Sequence, residues 1–169
     1  MKSTYLTKKG LLRIKSQIAT LLDDIRECNR RIGYTVSLDN DLRENPEFMA
    51  LRTKAEYEIP NKLAELNKIL NNHIIIESMP HITEKHNDIV NLGHKVTLED
   101  DNQNIKVIHI LGYDESDPSN NIVSYLTPMA QLLLEQGIDD IVEIPISGNL
   151  AEFRVKQIEI SDFLSGVQK

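Results

Sequence analysis

Apolar residues recur at alternating intervals of three and four positions along the first part of the chain. This spacing forms a narrow stripe, which is typical of a coiled-coil seam rather than of a helix packed on a globular core. Thr7 precedes the stripe and is a suitable N-terminal cap, whereas Gly33 weakens the helical pattern at its other end. The apolar positions are Leu11, Ile14, Ile18, Leu21, Ile25, Cys28 and Ile32.

A second helical pattern is predicted from about Pro46 to about Ile76. Pro46 is tolerated because it falls in the first turn, where the N–H group that proline lacks has no partner within the helix. Pro60 lies inside the pattern, where it removes a hydrogen bond and clashes one turn back, so it predicts a kink within residues 56–60. The apolar positions of this second stripe are Leu51, Ala55, Ile59, Leu63, Leu66, Leu70 and Ile74.

The numbering of the two stripes indicates how the helices pair. In an antiparallel pair, residues that face each other across the seam have nearly constant sums of residue numbers. These sums stay between 83 and 85, from Ile32 with Leu51 to Leu11 with Ile74. Two independent patterns therefore predict an antiparallel coiled-coil hairpin over residues 1–78.

After Ser78 the apolar positions alternate with polar ones, which is typical of β-strands. A slip of the apolar phase within the last strand predicts a bulge near Lys156 or Gln157. The predicted strands are residues 95–98, 105–111, 121–125, 140–145 and 150–160.

A short helix is predicted between the third and fourth of these strands. Thr127 is a suitable N-cap and Pro128 a suitable first helical residue, and the helix is predicted to extend to Leu134 and to be ended by Gly137. The predicted fold class is therefore α+β. The hairpin is followed, over residues 79–169, by a mainly antiparallel sheet with one short helix.

Composition predicts a cytoplasmic protein with no membrane partner. No run approaches the roughly 20 apolar residues of a membrane span, and the first residues lack the apolar core of a signal peptide. The single cysteine, Cys28, excludes an internal disulfide and fits a reducing compartment. The formal net charge is −7, with +2 over residues 1–78 and −9 over residues 79–169. The acidic second half argues against wrapping DNA.

Two carboxylates, Asp41 and Glu44, lie three residues apart at the predicted hairpin tip near residues 38–46. Mg²⁺ is commonly held by one or two protein carboxylates together with water and phosphate oxygens, so the pair could serve as part of a metal site. Two carboxylates alone do not complete such a site. The alternative is that one of them caps the second helix, where negative charge is stabilising. The spacing leaves both interpretations open.

Basic side chains are predicted to surround the hairpin behind this tip. By the same sums of residue numbers, Arg30 and Arg31 fall at the level of Arg52 and Lys54, and Arg43 lies within the tip itself. Cations behind an acidic tip are suited to steadying a nucleic-acid strand through its phosphates. The alternative is an ordinary solvated surface of a coiled coil.

Three segments resemble the GreA/GreB family of transcript cleavage factors. Residues 41–48, with the sequence DLRENPEF, are similar to the tip motif of that family. Residues 110–115 (ILGYDE) and 127–133 (TPMAQLL) are similar to two segments of its second half. The resemblance implies a coiled-coil hairpin followed by an FKBP-like domain, and binding to bacterial RNA polymerase.

The resemblance also implies a role for each candidate residue in a factor that is not itself an enzyme. The globular half would dock on the polymerase through Thr127, Pro128 and Met129 while the hairpin enters the secondary channel. Asp41 and Glu44 would then help to hold a Mg²⁺ ion shared with the polymerase active centre. The polymerase would cleave the nascent RNA 3′ end of a backtracked complex. The free factor is expected to be a monomer.

The chain departs from the family pattern at several positions. Arg43, Pro46 and Phe48 are unusual within the tip motif, residues 34–38 are more apolar than usual, and Leu126 replaces a polar residue before the docking segment. Two alternatives therefore stay open. One is a Gre-like regulator that occupies the channel and inhibits without promoting cleavage, and the other is a coiled-coil binding or chaperone module.

Overall fold

The structure is a computed structural model and describes residues 3–38, 45–146 and 149–164. The chain divides into two compact units, which we call the hairpin unit, Leu12–Asn72, and the globular unit, formed by Met1–Leu11 together with His73–Lys169. The sequence predicts a single boundary after Ser78. The division in the structure lies before that residue and assigns the start of the chain to the globular unit.

The hairpin unit is helical throughout its described residues. Helix α1 spans Lys8–Leu38, and its first turn belongs to the globular unit. The returning arm contains α2 (Pro46–Thr53), a π-helical turn (Lys54–Glu58) and α3 (Ile59–Asn71). Within the part of the chain that the structure describes, no helix is long and apolar enough to cross a membrane.

The central part of the predicted seam and the antiparallel pairing of the helices are confirmed. Cys28, Leu51 and Ile59 form the buried centre of the hairpin. Ion pairs join residue 31 to residue 47 and residue 24 to residue 54. The residue numbers thus increase along one arm and decrease along the other in the same direction, which is the antiparallel arrangement. The apolar side chains packed against this centre are Leu21, Ile25, Ile32, Ala55 and Leu63, all from the two predicted stripes.

The bend of the kink predicted within residues 56–60 stays a prediction, but a π-helical turn interrupts the regular hydrogen bonding there. The N–H group of Ile59 donates to the carbonyl of Lys54, five residues earlier, instead of following the α-helical spacing of four. In an unbroken α-helix, Pro60 would leave the carbonyl of Glu56 without its donor and its ring would clash with that carbonyl. The wider turn ends two residues before Pro60 and interrupts the regular bonding inside the predicted interval.

The prediction that the second helix extends to about Ile76 is wrong. α3 ends at Asn71, and the next residues form strand β2 (His73–Ile75), which pairs in parallel with β1 (Thr4–Leu6). Ile74 lies opposite Tyr5 in this pair and does not occupy the seam position predicted for it. A run of β-branched isoleucines adopts the extended conformation once a partner strand is available.

The globular unit is built on a five-stranded sheet. Its strands are β3 (His94–Asp100), β4 (Ile105–Leu111), β5 (Ile122–Ser124), β6 (Ile141–Ile146) and β7 (Asn149–Ile160). Their order in the sheet is β5-β4-β3-β7-β6. All neighbouring strands are antiparallel except β4 and β5, which confirms a mainly antiparallel sheet. Val96, Leu98, Ile110, Ile144 and Val155 are among the buried core residues that these strands contribute.

The bulge predicted in the last strand is confirmed at Lys156. Thr97 of β3 pairs with Gln157, whereas the next residue, Leu98, pairs with Val155. Lys156 is therefore the extra residue of β7. The bulge allows apolar side chains on both sides of it to face the same core, which explains the slip of phase in the sequence.

Short helices cover part of the core. α5 spans Pro128–Leu133, close to the predicted helix, but Glu135 and not Gly137 adopts the left-handed conformation just beyond it, with φ of 70°. The prediction that Gly137 ends the helix is therefore wrong. A second short helix, α4 (Pro80–Thr83), was not predicted. Single 3₁₀ turns occupy Ile76–Ser78 and Pro118–Asn120.

Candidate functional site at the hairpin tip

The tip segment lies between two helices whose adjoining ends the structure describes. α1 remains helical through Leu38, and α2 begins at Pro46. The predicted site residues Asp41, Arg43 and Glu44 lie outside the described residues. Among residues 3–38, 45–146 and 149–164, no group of three or more His, Cys, Asp or Glu side chains could hold a metal ion.

The end of α1 is helical although its composition disfavours a helix. Gly33 and the aromatic and β-branched residues after it have low helix propensity. Thr35 is only 9% exposed, and its hydroxyl donates to the carbonyl of Arg31 at 3.0 Å. Thr35 continues the seam spacing after Ile32, so tertiary packing of the helical face offsets the low propensity of the segment.

Asn45 caps the helix that begins immediately after the tip. Its side-chain oxygen accepts a hydrogen bond from the backbone N–H of Phe48 at 3.1 Å, with Pro46 in the first turn. Glu47 places a negative charge in the first turn, where it interacts favourably with the helix dipole. The capping role that the sequence analysis left open for Asp41 or Glu44 is therefore filled by Asn45.

Each predicted basic residue in the described part of the hairpin lies next to a carboxylate. The hydrogen bond from Arg30 to Glu27 raises the pKa of the guanidinium and lowers the pKa of the carboxyl group. The hydrogen bond from Arg52 to Glu56 likewise raises the pKa of that guanidinium. The four pairs are Arg30 with Glu27 (2.6 Å), Arg31 with Glu47, Arg52 with Glu56 (2.8 Å) and Lys54 with Asp24 (3.9 Å).

These ion pairs leave the cations available to another partner. Each side chain of the four pairs is about half exposed or more, between 46% and 71%. Ion pairs at such exposure contribute little to stability and are screened by salt. An anion such as phosphate can therefore replace the carboxylate of such a pair at small cost.

The predicted docking residues Thr127, Pro128 and Met129 start α5 in the globular unit. The hydroxyl of Thr127 accepts from the N–H of Ala130 at 3.3 Å and donates to the carbonyl of Ser124 at 2.8 Å. Met129 is partly buried against the core, whereas Pro128 is exposed. Thr127 therefore shapes this surface through its hydrogen bonds.

Two carboxylates that the sequence analysis did not assign hold the first turn of α1 within the globular unit. Glu115 accepts hydrogen bonds from the backbone N–H and the hydroxyl of Thr7 and from the N–H of Gly112. Glu77, only 7% exposed, accepts from the N–H of Lys8 with both oxygens at 3.0 Å. The hydroxyl oxygen of Thr7 accepts a hydrogen bond from the backbone N–H of Gly10 at 2.9 Å, so the predicted capping role of Thr7 is confirmed. Glu115 ends one of the segments that carry the family resemblance.

Comparisons with known proteins connect this geometry to a family. A family model described as "Transcription elongation factor, GreA/GreB, C-term" matches residues 85–160. The "Transcription elongation factor GreA" of Halalkalibacterium halodurans is 30% identical over 161 residues, which cover 94% of this chain and 97% of the relative. The chain belongs to the GreA/GreB family. The GreA of Nautilia profundicola is 28% identical over 164 residues, covering 96% of this chain and 98% of the relative.

Family membership applies to both units, because the alignments with the GreA relatives span more than nine-tenths of the chain. The match to the GreA/GreB C-terminal model contains β3 to β7 together with α5. The crystal structure of GreA factor homolog 1 (Gfh1) of Thermus thermophilus aligns over 94% of this chain and 99% of that chain, with 20% identity and a TM-score of 0.41. The match to the curated GreA relatives makes the chain a Gre-family transcription elongation factor.

Proposed function

We propose that this factor binds bacterial RNA polymerase, inserts its hairpin tip into the secondary channel and stimulates cleavage of the RNA 3′ end in backtracked complexes. Its membership of a family of transcription elongation factors supports polymerase as the partner. The factor acts as a stimulator of the polymerase's own nuclease activity. Thr127, Pro128 and Met129 take part in docking on the polymerase.

The observation that carries this proposal is the cap at Asn45. Because the side chain of Asn45 accepts the hydrogen bond from the N–H of Phe48 at the start of α2, neither Asp41 nor Glu44 is needed as a cap. The cap at Asn45 removes the alternative role that the spacing left open for the two carboxylates, and their hard oxygen atoms are the donor type that Mg²⁺ prefers. Asp41 and Glu44 would hold Mg²⁺, which would supply a Lewis acid for the attacking water and the scissile phosphate. Asp41 and Glu44 hold and orient the reacting groups.

The hairpin supplies reach and a cationic surface. α1 has 31 residues, which corresponds to a rod of about 46 Å at 1.5 Å per residue. Such a rod can carry a small tip deep into a channel. Arg30, Arg31, Arg52 and Lys54 contact the extruded RNA by exchanging their exposed carboxylate partners for its phosphate groups. Arg43, within the tip segment, also contacts the RNA or the polymerase.

The test is an RNA cleavage assay on a stalled, backtracked polymerase complex with wild-type factor, Asp41→Asn and Glu44→Gln. Each substitution keeps the size of the side chain and removes its charge. We expect both variants to bind polymerase like the wild type and to lose stimulation of cleavage. Glu65→Gln is the matched control, because Glu65 is an exposed carboxylate of α3 far from the tip in sequence, and it should cleave normally.

The same assay separates this proposal from its alternatives. Wild-type factor that binds polymerase and inhibits it without shortening the RNA would indicate a channel-occupying regulator instead. Loss of binding in step with loss of cleavage in the Asp41→Asn variant would contradict a direct role of that carboxylate in the reaction.

A further inference from the structure

A large aromatic side chain is exposed beside the tip on the last turns of α1. Tyr34 is 63% exposed, and two further apolar residues on the described helices next to the tip, Val36 and Met49, are 43% and 49% exposed. Cys28, by contrast, is only 4% exposed on the same helix. The hairpin therefore presents apolar surface to its surroundings at the end where the proposed chemistry takes place.

Tyr34 has a defined position on a regular helix. Thr35, the next residue, is buried at 9% exposure on the seam side, and successive residues of an α-helix point about 100° apart. Tyr34 therefore projects away from the seam. α1 continues through Leu38, so the ring is carried by a rigid element.

Two guanidinium groups lie one turn behind this ring. Arg30 and Arg31 are four and three residues before Tyr34, the spacing at which side chains are neighbours on a helix surface. Arg30 bonds Glu27 and Arg31 bonds Glu47, and these side chains are 50–71% exposed. The surface thus combines an accessible aromatic face with cations whose present partners are easily exchanged.

We propose that Tyr34 is a stacking platform for a base of the extruded RNA 3′ segment, while Arg30 and Arg31 contact the adjoining phosphates. This inference rests on the proposed function, because it requires single-stranded RNA to reach the tip. Proteins bind single-stranded nucleic acid by combining aromatic stacking with a cationic track for the backbone. An apolar contact with a protein wall would not need the guanidinium groups, so the charge pattern favours RNA.

Tyr34 contributes little to the packing of the hairpin. Among the described residues, Tyr34 neither belongs to the hairpin core nor packs against it. Alanine also has higher helix propensity than tyrosine. Tyr34→Ala should therefore fold as well as the wild type. Tyr57 is the matched control, since it is also 63% exposed and lies farther from the tip along the returning arm.

Photocrosslinking tests the contact independently of cleavage. The factor carrying Asp41→Asn, which keeps the RNA intact, is bound to a backtracked complex whose extruded nucleotides are replaced in turn by 5-iodouridine. We expect a crosslink that maps to Tyr34, that is lost in Tyr34→Ala and that is unchanged in Tyr57→Ala. A bound factor without any crosslink at Tyr34 overturns the inference while leaving the proposed function intact. Failure of the factor to bind polymerase overturns both.

Cleavage of RNA that carries an abasic nucleotide at the crosslinked position distinguishes RNA from protein as the partner. On intact RNA, loss of base stacking should slow stimulated cleavage by about fivefold or more in Tyr34→Ala, with little change in Tyr34→Phe. On abasic RNA, wild type and Tyr34→Ala should cleave at equal rates. If Tyr34→Ala slows cleavage of both RNAs equally and weakens binding to polymerase, the ring contacts the channel wall and the RNA assignment is wrong.

Discussion

His94 should make the stability of the globular unit fall as the pH is lowered from 7 to 5. Its side chain is fully buried, with 0% exposure, at the start of β3. The backbone N–H of Asn91 donates to its Nδ1 atom at 3.1 Å, so this nitrogen carries no proton in the folded state. The ring also meets that of His81 edge to face, with centroids 5.2 Å apart. Burial, and then repulsion from His81, lowers the pKa of His94 to about 4.

The direction of the effect follows from where the proton binds first. With a pKa near 6.5 when unfolded and about 4 when folded, His94 takes up its proton more readily in the unfolded chain. Stability is therefore unaffected well above pH 6.5, falls below that pH and stops falling below about pH 4. Linkage gives a loss of ~2 kcal/mol between pH 7 and pH 5 from this one residue.

Denaturant unfolding at the two pH values measures this loss, with hydrogen exchange of the β3 amides assigning it to the globular unit. His94→Gln removes the titration and should remove most of the difference between pH 7 and pH 5. His86→Gln, a change to an exposed histidine, should leave it in place. Burial also lowers the pKa of His109, so the comparison of variants isolates His94. An NMR titration in which folded His94 gains its proton near pH 6.5 would refute the reasoning.

Three further predictions concern the helix cap at Asn45 and two glycines. Asn45→Ala should weaken the start of α2 by about 1 kcal/mol, seen as faster exchange of the Phe48 amide, and Asn45→Ser should retain protection; equal exchange in the two variants would count against the cap. Gly112→Ala should destabilise the fold by about 1–3 kcal/mol in thermal or denaturant unfolding, because a Cβ there would lie 2.9 Å from the backbone of Leu6. At Gly33 an added Cβ would meet open space, so Gly33→Ala should raise the free energy of unfolding by about 1 kcal/mol. Changes of the same sign at both glycines would show that packing around the Cβ does not decide the outcome.

The elements that sequence predicted well are those that local pattern controls. The two helix caps are visible in the sequence as single capping residues, Thr7 and Thr127. The bulge at Lys156 is visible as a slip in the alternation of apolar residues over a few positions. The antiparallel hairpin was predictable because its two stripes constrain each other through the sums of residue numbers. Burial of Cys28 with Leu51 confirms that pairing.

The candidate site was predictable only in part. The carboxylates and the basic residues could be named from spacing and resemblance. The residue that caps α2 could not, because it depends on which side chain accepts a hydrogen bond from the N–H of Phe48. Asn45 and Asp41 are both good caps by residue type. The conformation of the chain at the start of α2 selects Asn45.

The sequence by itself therefore determined the two-part architecture, the seam of the hairpin and the position of the tip motif along the chain. Periodicity and family motifs are contained in short stretches of sequence, so they can be recognised without the tertiary structure. Tertiary structure decided the contacts between distant residues. The isoleucine run became β2 and not helix, since β1 lies beside it to accept its hydrogen bonds. Glu77 and Glu115 became anchors for α1 because folding brings them to its unpaired N–H groups. The exposure of Tyr34 likewise depends on which face of α1 the returning arm covers.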